Sequence, residues 1–251
     1  MKETIYTIPV MDAFRERCEC AFCQMHHTLE QNALDFMLGA SASYMEGDIR
    51  MKTDEQGFCR RHYGMMYAVS NRLGVALISQ THLARVRKDL KALLKNAPKT
   101  RPKKALFGGK ASPSPLSAYV EKLTGTCYIC DMIESTFEKY IDTFFMLWPK
   151  EEELRDMVRE GNGFCLPHFA MAAEAAADKL GASAYESFAG ILYDVQMKNL
   201  ERVQEDVDWF VRKFDYRYQN EPWHNAKDAV RRVIQKLSAE VIIEETKPKQ
   251  P

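Results

Sequence analysis

Two short motifs, each occurring twice, constrain this chain more than any bulk property. Cys20-Ala21-Phe22-Cys23 is followed by Gly57-Phe58-Cys59-Arg60-Arg61-His62, and Cys127-Tyr128-Ile129-Cys130 by Gly163-Phe164-Cys165-Leu166-Pro167-His168. From the second cysteine to the third is 36 positions in the first half (23 to 59) and 35 in the second (130 to 165). Leu73-Gly74 and Leu180-Gly181 then recur at an offset of 107. A duplicated unit of about a hundred residues is the economical reading.

Each half supplies three cysteines and one histidine as two close pairs. Zinc takes four nitrogen or sulfur ligands in a tetrahedron, and a pair at i and i+3 can turn both side chains onto one ion from a knuckle or the first turn of a helix. Gly57 and Gly163 free the approach to the second pair, and Pro167 is tolerated in a first helical turn, where the missing N–H has no partner to lose. Thiolates are favoured at such helix starts by the unpaired N–H groups and the dipole. The expected ligands are therefore Cys20, Cys23, Cys59 and His62 around one ion and Cys127, Cys130, Cys165 and His168 around a second, with each half folding around its own metal. Two zinc ions per chain are expected, with iron–sulfur ligation as the weaker rival, because spacing does not distinguish a single ion from a cluster. A shell filled by four protein ligands leaves no position for a reactive water, so the sites read as structural.

The remaining candidates are weaker. Cys18 has Gly125 at the repeat offset, so the duplication does not repeat it. His26 and His27 are possible substitutes for His62, but their counterparts are Ile133 and Glu134. His82 lies on an apolar stripe with Ile78 and Val86 and reads as a hydrogen-bonded core residue, and His224 reads as a helix-start residue. No GxSxG, P-loop or GxGxxG motif is present, and a thioredoxin-type CxxC would require a βαβ setting.

The setting is helical instead. Val86, Leu90, Leu93 and Leu94 fall at i, i+4, i+7 and i+8, and Phe188, Leu192, Val195, Val203, Val207, Phe210 and Phe214 form a longer stripe. A helix over about 182–214 would be roughly 50 Å long. A last helix is expected after Pro222-Trp223, with Ala226, Val230, Val233, Ile234 and Leu237 on one face. Alternating β-branched runs bounded by turns are missing, so the fold class is all-α.

With 251 residues, 46% of them hydrophobic, the chain can bury one or two ordinary cores. Thirty-five Lys and Arg balance 35 Asp and Glu, so no global field draws in nucleic acid or anionic lipid, and any such binding depends on a local patch. Seven cysteines without a secretory leader or an apolar spanning run fit a cytoplasmic protein whose thiols serve metal or redox chemistry. Residues 97–116 hold four of the ten prolines, five basic residues and no acid, and read as a flexible linker. The expected division is a first unit at 1–96, the linker at 97–116 and a second unit at 117–251 with the C-terminal helices.

The start KETIYTIPV, the CECxxC, GFCRRHYGMMY, NRLGVAL and the late KFDYRYQNEPW together resemble a bacterial domain-of-unknown-function family found mainly in Firmicutes. The resemblance spans nearly the whole chain and implies a bacterial cytosolic origin but no activity. The expected role is a non-enzymatic binding or scaffolding module with structural zinc, a protein as partner and no membrane association. A thiol-based redox sensor or oxidoreductase using the CxxC pairs is the alternative from another class. A nucleic-acid-binding zinc protein ranks below it, because Leu166-Pro167 replaces Arg60-Arg61 in the second half.

Overall fold

A computed structural model describes residues 5–95, 97 and 114–242. Among them all regular structure is helical: α1 (Thr7–Arg15), α2 (Ala21–Leu38), α3 (Gly47–Gln56), α4 (Arg60–Ala68), α5 (Arg72–Lys95), α6 (Pro115–Gly125), α7 (Tyr128–Leu147), α8 (Glu152–Glu160), α9 (Leu166–Lys179), α10 (Ala182–Arg212) and α11 (Ala229–Ser238), with single 3-10 turns at Tyr216–Tyr218 and Ala226–Asp228. The all-α class is as expected. Most of the linker read at 97–116 lies outside the described residues, as does the chain beyond 242.

One order of elements occurs twice. A short helix is followed by a longer one that starts in CxxC, then a short helix, then one that starts in CxxH, then a long helix. Local chemistry sets these starts. Cys59 and Cys165 occupy the residue before α4 and α9, and Pro167 lies in the first turn of α9. Ser114 caps α6, accepting from the Ser117 N–H at 3.1 Å, with Pro115 in the first turn. Glu152 and Glu153 fall in the first turn of α8, at the favourable end of its dipole.

The chain divides into two compact units, and they are not the expected 1–96 and 117–251. One unit comprises Met1–Thr28 with Thr136–Pro251, and the other is Leu29–Ser135. Their borders fall inside α2 and α7 rather than in the linker. Helices of 18 and 20 residues have enough length for the first turns to belong to one unit and the rest to the other.

The first unit is built on aromatic side chains. Phe14 stacks on Phe144 at 5.2 Å between ring centres, Phe22 meets Phe144 edge-on at 5.3 Å, and Trp148 meets Phe188 edge-on at 4.8 Å. Two of the motif phenylalanines, Phe22 and Phe164, belong to this core, their rings centred 5.0 Å apart. Phe188, Leu192, Val195 and Val203 are buried along α10, while Phe214, the last residue of the expected stripe, lies beyond the end of the helix and is exposed. In α11 most of that apolar face is turned outward. Val230, Ile234 and Leu237 are exposed, while Arg232 and Lys236 are buried with Ala226 and Ala229. The reason is polar pairing: Arg232 bridges Asp206 at 2.7 Å and Asp228 at 2.9 Å, and Lys236 lies 3.1 Å from the Glu19 carboxylate. In the second unit α3 packs on α5, and Phe58, Met66, Ile78 and Ile129 are buried.

Gly57 and Gly163, which open the GFC motifs, both have positive φ, at 65° and 73°. A Cβ at Gly57 would lie 2.7 Å from Nε2 of His82. Gly57→Ala is therefore expected to destabilise the protein by at least about 1–3 kcal/mol in denaturant titration. Gly64→Ala, at an exposed α4 position with open space around it, should instead stabilise by about 0.5–1 kcal/mol.

Candidate metal centres

All four ligand pairs stand at helix starts. Cys20 and Cys127 immediately precede α2 and α7, and their sulfurs accept from the N–H groups of Cys23 and Cys130, each at 3.5 Å. Cys59 does the same for the His62 N–H at 3.5 Å. The first residue of each of these three pairs thus satisfies an N–H that the helix leaves free, and the second lies one turn on, facing the same point.

The pairs do not close as the sequence reading expected. Cys20 and Cys23 meet Cys165 and His168, while Cys127 and Cys130 meet Cys59 and His62. Each CxxC joins the CxxH of the other half. Separations of 36 and 35 residues measure chain length only; they do not decide which loop ends meet. All eight expected residues are brought together, in two groups of four that can hold a metal ion, with ligand atoms within 4.8 Å of one another in each.

In the first unit, His168 Nδ1 lies 3.5, 3.4 and 3.2 Å from the sulfurs of Cys20, Cys23 and Cys165, and the sulfurs of Cys23 and Cys165 are 3.5 Å apart. In the second, His62 Nδ1 lies 3.2, 3.3 and 3.4 Å from the sulfurs of Cys127, Cys59 and Cys130, and Cys59 and Cys130 are 3.9 Å apart. Both histidines therefore present Nδ1. Sulfurs this close cannot all ionise by themselves. Hydrogen bonds from Cys20 and Cys23 hold the Cys165 thiol down at about 4, while Cys23, bonded to Cys165 and Cys20, is pushed up. At Cys127 burial acts upward, but the bonds from His62 and the Cys130 and Cys59 backbones prevail and hold it at about 6; burial and Cys127 push Cys130 up. A shared cation is what would allow three thiolates at once.

The surroundings differ between the two centres. Glu30, one of the buried residues, accepts from Arg61 Nε and Nη2 at 2.9 and 3.0 Å and lies 3.3 Å from His62 Nε2. Burial pushes the Glu30 carboxyl up, but the bonds from His62 and Arg61 outweigh it and hold it at about 2. A carboxylate on Nε2–H fixes the ring with Nδ1 toward the sulfurs. At the repeat offset of 107 the residue matching Glu30 is Phe137, whose ring meets the His168 ring at 5.6 Å, with Phe22 at 5.9 Å. Glu30 escaped the sequence reading. The available signal was its place seven residues after Cys23, two helical turns on, the same separation as Phe137 from Cys130.

A second unforeseen residue is Lys236. Its Nζ donates to the backbone oxygens of Glu19, at 2.6 Å, and Asn162, so one ammonium ties together the turns that carry both ligand pairs of the first centre. Arg202 adds a 2.6 Å bond to the Glu19 carboxylate. Gln196 holds the Cys165 turn from α10, with 3.0 Å bonds to the N–H and the oxygen of Phe164. In the second centre the Tyr128 N–H reaches the Gly57 oxygen at 3.1 Å, joining the turn before CxxH directly to the start of α7.

The other candidates stay outside. Cys18 is half-buried, belongs to neither group, and burial pushes its thiol up to about 11. His26 packs edge-on to Phe137 at 5.6 Å. His82 is the core residue expected, with Nδ1 2.9 Å from the Asp54 oxygen.

With this geometry in hand, comparison with known proteins places the chain in the family of unknown function DUF6062, whose model matches residues 1–244. No curated protein and no solved structure matches it.

The exchanged pairing is tested by paired substitutions. Cys59→Ser and Cys130→Ser should each remove the same metal ion, and the double variant should lose no more than either. Cys20→Ser combined with Cys59→Ser should abolish both sites. Closure within each half would reverse these outcomes in metal-to-protein ratios.

Proposed function

We propose that this chain carries two zinc ions as structural cross-links in a helical scaffold that binds a protein partner, with no catalysis at the metal. The observation that supports this is the size of the two groups. Their ligand atoms lie 3.2 to 3.9 Å apart along the contacts described above, and all of them lie within 4.8 Å of one another in each group. A tetrahedral ion with sulfur at about 2.3 Å sets its ligands roughly 3.7 Å from one another. A cluster whose thiolates bind separate irons would need the sulfurs farther apart, so the spacing favours a single ion over iron–sulfur ligation. Four ligands complete the shell of such an ion and leave no place for an activated water.

One observation favours a second reading, a thiol switch in the second unit. Cys59 and Cys130 are partly exposed, whereas Cys20, Cys23 and Cys165 are buried. Exposure is what a redox-responsive site requires.

Protein purified without chelator is expected to contain close to two zinc ions per chain by elemental analysis. Because the ligand pairs are not assembled in an unfolded chain, each ion can contribute folding free energy on the order of 10 kcal/mol at neutral pH. A strong chelator should therefore lower both helicity and thermal stability. Iron with sulfide in anaerobically prepared protein, or unchanged melting after complete metal removal, would overturn the structural-zinc reading. Rapid zinc release by mild peroxide, restored by a thiol reductant, would favour the switch.

A further inference from the structure

The balanced net charge hides one strongly asymmetric surface on α5. Leu83, Leu90 and Leu94 follow one another along this helix, with Val86 beside them, and Arg87, Lys91 and Lys95 run parallel at successive turns; these seven residues line one open groove. Leu83 and Leu94 are 66% and 52% exposed. Within 83–95 the helix carries five basic residues, Arg85, Arg87, Lys88, Lys91 and Lys95, against the single acid Asp89. Arg85 lies 3.9 Å from Asp89 and 4.0 Å from Glu55. No ion pair is found for Arg87, Lys88, Lys91 or Lys95 among the described residues.

We infer that this face of α5 is a peripheral docking surface for an anionic phospholipid bilayer. The apolar row enters the boundary between headgroups and acyl chains while the adjoining cations meet the lipid phosphates. Lysine and arginine stems can lie along an apolar surface and still extend their charges to that depth. Nucleic acid fits less well, because phosphates give nothing to exposed leucines. An acidic partner protein also fits less well. The row from 83 to 94 spans only about 16 Å of a helix about 10 Å wide, a strip on the order of 200 Å², short of the roughly 1,000 Å² or more that a stable protein interface buries. A bilayer has no such minimum, since each cation and each buried apolar group adds its own increment. The docking is interfacial, for no described helix is long and apolar enough to cross a membrane.

Vesicle flotation of the full-length, metal-loaded protein tests this, comparing phosphatidylcholine alone with phosphatidylcholine containing phosphatidylglycerol. Binding is expected to the anionic vesicles only and to fall as salt rises. Lys91→Gln with Lys95→Gln should weaken it at least roughly tenfold. Leu83→Ser with Leu94→Ser should weaken it too, while leaving the salt dependence in place. All four positions are exposed, so helicity and metal content should match the unmodified protein and serve as the control for folding. Absence of binding to anionic vesicles, equal binding to neutral ones, or binding indifferent to both pairs of substitutions would overturn the inference. So would tighter binding to duplex DNA than to vesicles, unaffected by the leucine changes.

Discussion

Two helix starts facing one point are the constraint on which each unit rests. A CxxC or CxxH at the beginning of a helix sends two side chains the same way, and the N–H groups there have no intrahelical acceptor. Cys20, Cys59 and Cys127 meet that need with sulfur. When two such starts are opposed, three sulfurs and an imidazole nitrogen fall within 4.8 Å, a congestion that a cation relieves and that protonation relieves less completely. Apolar packing reinforces the same geometry: Phe22 lies between the two cysteines of its motif, Phe164 beside Cys165, and their rings meet at 5.0 Å. In the first unit the ligand turns are therefore also core-forming turns.

The two centres share their ligand set but not their support. Behind His62 stands the Arg61–Glu30 pair, polar and charged; behind His168 stand Phe137 and Phe22. The first centre takes its charged support from another direction, through Lys236 and Arg202 on C-terminal helices. This accounts for the reversed face of α11. A lysine buried to 1% exposure needs acceptors on every side, and the Glu19 and Asn162 oxygens with the Glu19 carboxylate supply them, so the helix turns its charged edge inward and leaves Leu237 outside.

Such reversal also marks what a periodicity argument reads. Spacing of apolar residues identifies a helix and its stripe, as for Phe188, Leu192 and Val195 on α10. It assumes that the stripe faces inward. That held over the first turns of α10, and failed at Phe214, along α5, where Leu94 is exposed, and on α11, where paired charges occupy the interior.

Much of the candidate site was legible in the sequence: the eight Cys and His residues that gather in two groups of four, the helix starts at CxxH, and the need for a glycine before each GFC turn, because each depends on residues within a turn or two of one another. Pairing of the motifs was a tertiary matter. Nearly equal separations of 36 and 35 residues allow closure within a half or between halves, and it is tertiary contacts, among them Phe22 with Phe164, Lys236 with the Glu19 and Asn162 turns, and Tyr128 with Gly57, that join each CxxC to the CxxH of the other half. Glu30 and Lys236 became recognisable for the same reason. Glu30 is remote in sequence from His62, and Lys236 from the turns at Glu19 and Asn162, so no local pattern records contacts that exist only once the chain has folded.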